Sequence, residues 1–303
     1  MSLITSISRA DAIARYTEVA HRMPKPVNPE STVNVADLSE LTDEFDVFVL
    51  DGFGVLNVGE HTIPGAVERV AQLQAMGKQV LVLTNGATLP VEKTVEKYTK
   101  RGMHFSLPDV VSSRNALEQA MLAEEDNILW GVIATDFAQI ERLAPKTILL
   151  TDNANDYAKV DAFVFLSSLD WTHERQSLLH SALATRTRPV LVGNPDLVAP
   201  RESDMSMEPG LFAHELADAG VCQPRFYGKP FKNVFDIVAK RIDNVEPHRI
   251  AMVGDSLHTD ILGGANYGWR TVLIKNHGLM KEADDDQCFA QTGIRPDFVA
   301  ATT

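Results

Sequence analysis

Short apolar runs recur along most of the chain, and each is followed by polar or glycine residues. Runs of this kind predict buried strands that stop abruptly, and runs without polar alternation are typical of a parallel sheet covered on both faces. The predicted strands of this first kind lie at 47–50, 78–83, 110–112, 249–253 and 271–274. Their pattern favours one parallel sheet in the interior of the protein.

Amphipathic stretches separate these runs and predict the helices of an alternating β/α chain. One helix is predicted within 64–77, where a proline near the first turn and a glycine at the end bracket apolar positions on one side. Similar patterns predict helices at 8–22, 91–101, 231–241 and 259–267. This alternation predicts an α/β protein with a three-layer, Rossmann-like core, in which helices cover both faces of a parallel sheet.

The pattern of apolar and polar residues changes between the predicted core strand at 110–112 and the one at 249–253. Further strands are predicted there at 131–134, 147–150, 161–166 and 189–192, with a helix at 171–185. The first pattern, in which apolar strands alternate with amphipathic helices, begins again with a short strand at 225–227 and the turn that follows it. We therefore predict a core formed by 1–125, including an N-terminal helical extension, and by 223–303, with an inserted α/β cap domain at 126–222.

Composition narrows the classes of protein to consider. The chain has 303 residues, of which 45% are apolar and 23% charged, as is typical of a globular protein. Its 28 Lys+Arg and 41 Asp+Glu residues give a formal net charge of −13, so we expect neither nucleic acid nor a membrane surface as a partner. The acidic run at 284–286 is interpreted as a solvated surface loop.

Cysteine usage and hydropathy bear on the compartment. Cys222 and Cys288 are too few for a disulfide framework or a four-ligand zinc site, and they suit a reducing environment. The apolar runs are far shorter than the ~20 residues of a transmembrane helix. The N-terminal residues alternate polar and apolar side chains and lack the apolar core of a signal peptide. These features predict a cytoplasmic protein.

Polar side chains follow the predicted core strands at the points where the strands end. Asp51 follows the predicted strand 47–50, Thr84 and Asn85 follow the strand 78–83, and Asp255 follows the strand 249–253 closely. Lys229 comes just after the strand-like segment 225–227. Each of these residues alone is also typical of a turn or a helix cap. Ligands, however, bind beyond the carboxyl ends of parallel strands. Two carboxylates, a hydroxyl–amide pair and an ammonium are the groups required for phosphoryl transfer through an aspartyl intermediate.

The order of these motifs resembles the haloacid dehalogenase superfamily, specifically its class IIA, NagD-like phosphatases. The matching segments are DGFGVL at 51–56, IPGA at 63–66, TN at 84–85, NPD at 194–196, GKP at 228–230 and GDSLHTDI at 254–261. The inserted domain falls between the second and third catalytic motifs, as in that class. The resemblance implies a hydrolase that acts on a small phosphorylated metabolite.

The resemblance also implies roles for individual residues. Asp51 would be the nucleophile and a ligand of Mg²⁺, together with the backbone carbonyl of Phe53 and the carboxylate of Asp255. Mg²⁺ suits such a site because it prefers oxygen ligands and keeps several waters. Asp260 is interpreted as a partner of the site, either through water or as a direct ligand. The residues implied to bind the transferring phosphoryl group are Thr84, Asn85 and Lys229.

Position 53 departs from the family pattern. Phe53 stands where the family usually has the aspartate that protonates the leaving alcohol and then activates water. Because such proton transfers contribute typically ~10²–10⁴-fold, we expect slow hydrolysis of alkyl phosphates unless another group serves. His258 and Asp196 are the nearby candidates. His258 is otherwise interpreted as a surface residue, and Asp196 as part of the turn that ends the cap.

Three functions are therefore open at this point. The first is a Mg²⁺-dependent phosphatase that forms an aspartyl-phosphate on Asp51. The second is a catalytically degenerate protein that only binds a phosphorylated metabolite. The third is a metal-independent hydrolase, because the haloacid dehalogenases themselves also have an aromatic residue two positions after the nucleophile; Asp255 and the place of the cap favour the first function over it. A homodimer is left open, because caps of this class often pair.

Overall fold

The larger of two parallel sheets forms the centre of the protein. The computed structural model describes residues 7–124, 127–201, 205–281 and 283–303. Seven parallel strands make up this sheet, in the spatial order Val33–Val35, Phe298–Ala300, Arg270–Ile274, Ile250–Gly254, Val47–Leu50, Gln79–Thr84 and Val110–Ser112. The prediction of an α/β fold with a Rossmann-like parallel sheet is confirmed.

Alternating residues of each central strand pack on opposite faces of this sheet. In Val47–Leu50, Phe48 and Leu50 belong to the hydrophobic cluster on one face, and Val47 and Val49 to the cluster on the other. Helices cover both clusters, which explains why all four residues are buried and why the sequence shows no polar alternation. The result is a three-layer core.

The helices follow the predicted ones closely where a prediction was made. Their bounds, in chain order, are Arg9–Val19, Ala66–Ala75, Val91–Lys100, Ser113–Leu122, Ala154–Lys159, His173–Thr185, Pro209–Asp218, Lys232–Ala239, Leu262–Tyr267 and Asp285–Thr292. A π-helical turn, Leu257–Ile261, precedes the ninth. None of the described helices is long and apolar enough to cross a membrane.

A second sheet of five parallel strands packs beside the core. Its spatial order is Arg225–Phe226, Val190–Val192, Ala162–Phe165, Trp130–Ile133 and Thr147–Leu149. One face contacts helices His173–Thr185 and Pro209–Asp218, and the other contacts Leu117 and Met121 of the core helix Ser113–Leu122. That core helix also packs on the large sheet through Ala116, so it joins the two sheets.

The structure adds detail to the predicted domain division. The predicted boundary between 125 and 126 lies outside the described residues. The predicted boundary at 222/223 stays a prediction, and the strand Arg225–Phe226 just beyond it pairs with the smaller sheet. An antiparallel hairpin, Val198–Pro200 with Met205–Met207, follows the smaller sheet and packs against helix Arg9–Val19. We call the second sheet, its helices and this hairpin the cap.

Several parts of the chain differ from their predictions, and strands Val33–Val35 and Phe298–Ala300 and helix Ser113–Leu122 were not predicted. The acidic run at 284–286 is not a surface loop: Asp284 caps helix Asp285–Thr292 by accepting a hydrogen bond from the Gln287 N–H at 2.8 Å. Its negative charges suit the positive end of the helix dipole. Helix Pro209–Asp218 and the hairpin before it were not predicted, because their buried residues follow neither period clearly.

Candidate active site

The nucleophile candidate and its neighbours lie at the carboxyl edge of the large sheet. Asp51 follows strand Val47–Leu50 directly, and its N–H donates to the Val253 carbonyl at 2.8 Å. Asp255 follows the neighbouring strand on one side, and Thr84 ends the neighbouring strand on the other. Parallel pairing in register therefore brings these three residues, far apart in the chain, to one edge.

Lys229 contacts several groups at this edge of the sheet. Its Nζ lies 2.6 Å from Asp51 Oδ1 and 2.7 Å from Asp260 Oδ1, and it donates to the Leu83 carbonyl at 2.9 Å. The residue is 1% exposed. Burial by itself would lower the pKa of Lys229, but the surrounding carboxylates raise it above its ordinary value. The ammonium is therefore charged, and it offsets part of the repulsion between the acids.

Three buried carboxylates form an acidic cluster next to this ammonium. Asp51, Asp255 and Asp260 each offer a ligand oxygen, and these oxygens all lie within 4.8 Å of one another. Burial raises the pKa of Asp51 to about 7, against the lowering effect of Lys229. Burial and the two other acids raise the pKa of Asp255 as well. A set of oxygen ligands with excess negative charge is the kind that binds a hard divalent cation.

The backbone around Asp255 leaves no free space for larger residues. A Cβ built on Gly54 would lie 2.4 Å from Asp255 Cγ, and Gly54 has a φ of +77°, which favours glycine. The other side of the carboxylate is held by the Leu279 N–H, which donates to Oδ2 at 2.9 Å. The segment 51–56 can thus wrap closely around the acidic cluster, and the described residues fit a bound divalent cation.

The carboxylate of Asp51 has one engaged oxygen and one free oxygen. Oδ1 accepts from the Gly52 N–H at 2.7 Å and contacts Lys229 Nζ. No donor among the described residues bonds to Oδ2. An anchored carboxylate with one free oxygen is suited to attack an electrophile that enters the cavity beyond it.

Asn85 connects the two walls of the site. Its Oδ1 accepts from the Lys229 N–H at 2.8 Å, and its Nδ2 donates to Asp196 Oδ1 at 2.8 Å and to the Lys229 carbonyl at 3.0 Å. Both amide hydrogens are therefore engaged within the protein. In this structure Asn85 positions Lys229 and Asp196, and its predicted contact with a phosphoryl group stays a prediction.

Thr84 keeps its hydroxyl near the cavity. Its Oγ1 accepts from the Gly86 N–H at 3.2 Å, so the hydroxyl hydrogen is free to point toward a bound anion. Thr84 is buried in the protein and lines the same cavity as Asp51. The predicted residues thus meet at one place: Asp51, Thr84, Asn85, Lys229 and Asp255. Their catalytic and binding roles stay predictions.

A cavity of about 310 Å³ opens from Asp51 toward the cap. Phe53 forms part of its wall, with Lys97 Nζ 5.7 Å and Arg201 Cζ 5.5 Å from the ring centroid. Phe137 and Leu169 of the cap lie at the cavity and are 52% and 66% exposed. The part of the cavity at the large sheet, with Asp51, Thr84 and Asn85 and the adjoining Lys229 and Asp255, is charged, and we call it the floor. The part at the cap is partly apolar, and we call it the rim; it is formed by Phe137, Leu169, Arg201 and Met207.

His258 differs from its prediction. It is not a surface residue: it is buried and stacks on Tyr16, with ring centroids 4.5 Å apart and an angle of 7° between the planes. Burial lowers the pKa of His258 to about 3. The imidazole is therefore neutral near pH 7 and has no ionisable proton to give to a leaving group there.

Sequence reasoning missed the residues that complete the cavity from the cap. The Arg201 side chain also donates to Ser206 Oγ at 3.0 Å, within the unpredicted hairpin. Tyr16 comes from the N-terminal helix Arg9–Val19, where nothing in the local pattern distinguishes it from an ordinary core residue. No signal in a single sequence could have placed Arg201 over Phe53 or Tyr16 against His258, because both contacts depend on how distant elements pack.

Two family models match separate segments of this chain, and the first match extends into the cap. One, described as haloacid dehalogenase-like hydrolase, matches residues 48–144, and the other, described as HAD-hydrolase-like, matches residues 226–302. The first match begins just before Asp51, and the second includes Lys229 and Asp255. Both therefore cover the segments that supply the acidic edge of the large sheet.

Curated relatives share a minor fraction of the sequence over most of the chain. A 4-nitrophenylphosphatase of Schizosaccharomyces pombe is 23% identical, over 82% of this chain and 89% of its own length. An acid sugar phosphatase of Staphylococcus aureus is 22% identical, over 77% of this chain and 87% of its own length. A NipSnap protein of Caenorhabditis elegans is 28% identical over 78% of this chain, but the chain spans only 49% of that protein.

Solved structures share the fold. A possible sugar phosphatase of the haloacid dehalogenase superfamily from Cytophaga hutchinsonii has a TM-score of 0.78 at 24% identity, covering 89% of this chain and 98% of that one. A glycerol phosphate phosphatase from Mycobacterium tuberculosis, in complex with calcium, has a TM-score of 0.63 at 20% identity, covering 78% and 68%. Fold, motif segments and relatives agree, and the chain belongs to the haloacid dehalogenase superfamily of hydrolases, with 4-nitrophenylphosphatases and acid sugar phosphatases among its relatives.

Proposed function

We propose that this protein is a Mg²⁺-dependent phosphatase that forms an aspartyl-phosphate on Asp51 and acts on a small phosphorylated metabolite. The observation that carries the proposal is the carboxylate of Asp51, anchored by Lys229 through one oxygen and open to the cavity through the other. In this proposal the chain is a class IIA member with an aromatic residue at position 53. The names of the phosphatase relatives support the same reaction class.

The residues on the floor would divide the work between them. Asp51 Oδ2 attacks phosphorus, the bond from phosphorus to the leaving oxygen breaks, and water later hydrolyses the aspartyl-phosphate. Thr84 and Lys229 would stabilise the negative oxygens of the transferring group. Asp51, Asp255 and the carbonyl of Phe53 would hold Mg²⁺. When bound, Mg²⁺ supplies positive charge that stabilises the phosphoryl oxygens.

The cavity favours certain leaving groups. Its apolar rim, with Phe137 and Leu169, suits a leaving group with an apolar face. Phe53 cannot protonate a leaving oxygen, but a leaving group of low pKa, such as a phenolate or a carboxylate, departs without a proton. Aryl and acyl phosphates are therefore the best first substrates to test, and phosphorylated sugars a second set.

The test is to replace Asp51 by Asn and to measure turnover of 4-nitrophenyl phosphate and acetyl phosphate with Mg²⁺ or with excess EDTA. We expect Asp51→Asn and EDTA each to lower turnover by at least ~10³-fold, because nucleophile and cation act as one unit. The matched control is Asp286→Asn. Asp286 is exposed and does not line the cavity, so this variant should keep full activity. Turnover that survives Asp51→Asn would overturn the proposal.

A binding protein without catalysis would behave differently in the same experiment. It would be stabilised against heat by Mg²⁺ with phosphorylated metabolites and would show no turnover over hours. That result would also contradict the proposed phosphatase.

A further inference from the structure

We propose that Asp196 performs the proton transfers that Phe53 cannot: it gives a proton to the leaving oxygen and then takes one from the attacking water. This inference rests on the proposed phosphatase function. It assigns a catalytic task to a residue of the cap, whereas the nucleophile and the predicted metal ligands all come from the core.

The placement of Asp196 is the first support. It lies in the turn after strand Val190–Val192 and lines the same cavity as Asp51 and Phe53. The side chain is half-buried, so it faces the cavity without being open to bulk solvent. Among the described acids that line this cavity, Asp196 is connected most directly to the nucleophile.

That connection consists of two hydrogen-bonded residues. Asp196 Oδ1 accepts from Asn85 Nδ2 at 2.8 Å, and the same amide group donates to the Lys229 carbonyl at 3.0 Å. Lys229 in turn contacts Asp51 through its Nζ. The carboxyl group of Asp196 is thus held at a set position relative to Asp51. No donor among the described residues bonds to Oδ2, which leaves that oxygen available to a leaving group or a water.

The backbone of the turn is also held in place. The Asp196 N–H donates to Asn194 Oδ1 at 3.0 Å, and the Gly210 N–H donates to the Asp196 carbonyl at 3.0 Å. The next residue, Leu197, donates its N–H to the hydroxyl of the buried Tyr16 at 3.0 Å. A turn restrained on three sides is what a proton donor requires, because proton transfer depends on geometry first.

The surroundings of Asp196 also suit the exchange of a proton near neutral pH. Burial raises the pKa of Asp196 to about 7, while Lys229 and the Asn85 hydrogen bond oppose the rise. A general acid–base works best when its pKa lies near the operating pH. The other titratable groups that face it electrostatically are Asp260, Glu208, Asp51 and Tyr16.

Asp196 acts in both steps of the proposed reaction. In the first, Asp51 Oδ2 bonds to phosphorus, the bond between phosphorus and the leaving oxygen breaks, and that oxygen takes its electron pair and the proton of Asp196. In the second, the Asp196 carboxylate takes a proton from water while the water oxygen bonds to phosphorus. The bond from phosphorus to Asp51 then breaks, which releases phosphate and restores both carboxyl groups.

The experiment compares Asp196→Asn with the parent protein on glycerol 3-phosphate and on 4-nitrophenyl phosphate. Asn keeps an acceptor for Asn85 but cannot carry the proton. We expect turnover of glycerol 3-phosphate to fall by ~10²-fold or more, because an alkoxide needs a proton to leave. On 4-nitrophenyl phosphate we expect a burst of about one nitrophenolate per protein, followed by slow turnover, because only hydrolysis of the aspartyl-phosphate is impaired.

A second variant, Phe53→Asp, distinguishes proton transfer from a structural effect. In the parent protein it should give no gain in glycerol 3-phosphate turnover, because Asp196 already supplies the proton; a loss there would reflect the altered cavity wall and is the baseline for the double variant. In the Asp196→Asn background it should restore turnover by at least ~10-fold. A gain of that size in the single variant would overturn the inference. Unchanged turnover of glycerol 3-phosphate in Asp196→Asn would also overturn it. The same holds if Asp196→Asn loses the nitrophenolate burst on 4-nitrophenyl phosphate together with the steady rate. If Asp51→Asn also leaves turnover unchanged, the proposed function fails with it.

Discussion

The floor and the rim of the cavity are built in different ways. The floor, formed by Asp51, Thr84 and Asn85 with the adjoining Lys229 and Asp255, is buried, and Lys229 is joined to Asp51 by an ion pair and to Asn85 by a hydrogen bond. The rim, formed by Phe137, Leu169, Arg201 and Met207 of the cap, includes exposed side chains on irregular segments.

This difference separates chemistry from selectivity. Buried carboxylates need compensating charge and hydrogen bonds, so each residue of the floor depends on the others and few substitutions are tolerated. The exposed rim residues contribute contact area and little else, so they can change without loss of the fold. We expect substitutions in the floor to abolish turnover and those in the rim to change affinity.

After loss of the nucleophile itself, the largest expected effect in this comparison comes from closing the space beside Asp255. In Gly54→Ala the new Cβ would meet the Asp255 carboxylate, and turnover should fall by about 10²-fold, with loss of thermal stabilisation by Mg²⁺. Gly77→Ala is a matched control, because Gly77 has nearly the same φ, +76°, but nothing within 4 Å of its Cβ. Melting curves with and without Mg²⁺ measure the effect. An equal loss in both variants would attribute it to backbone strain alone.

A smaller effect is expected behind the floor, at His258. Its pKa in the folded protein, about 3, lies below the ~6.5 of an unfolded chain, so the unfolded state binds more protons between these values. Stability should therefore be lost as pH falls from about 6.5 toward 3. The parent protein should lose about 1–2 kcal/mol more unfolding free energy between pH 7.5 and pH 5 than His258→Phe, which keeps the stack on Tyr16.

Denaturant titration at the two pH values measures this difference. The variant His104→Gln, at an exposed position, is the control and should retain the full acid sensitivity of the parent. Equal acid sensitivity in His258→Phe and the parent would contradict the buried, neutral histidine.

The smallest effect is expected at the rim. Replacing both Phe137 and Leu169 by Ser removes apolar contact with the leaving group, so KM for 4-nitrophenyl phosphate should rise ~3–10-fold while kcat changes by less than ~2-fold. The unfolding free energy should stay nearly constant, because both side chains are exposed. Leu122→Ser, 79% exposed on a core helix, is the control. A fall in kcat with constant KM would place these residues in the chemistry of the reaction.

Much of the floor was predictable from the sequence, and the reason is topological. Parallel strands in register end at one edge, so residues that directly follow apolar runs, such as Asp51 and Thr84, come together whatever the rest of the chain does. Five of the seven strands of the large sheet were predicted from apolar runs, because buried strands show no polar alternation, whereas Val33–Val35 and Phe298–Ala300 were not predicted.

The tertiary structure decided what distant segments contribute. The stack of Tyr16 on His258, the bond from Asn85 to Asp196, and the approach of Arg201 to Phe53 join residues separated by more than 100 positions. Local pattern cannot predict such contacts, because each depends on how whole helices and sheets pack. Strand ends were thus set by the sequence itself, whereas the burial of His258 and the position of Asp196 depend on packing between the core, the cap and the N-terminal helix.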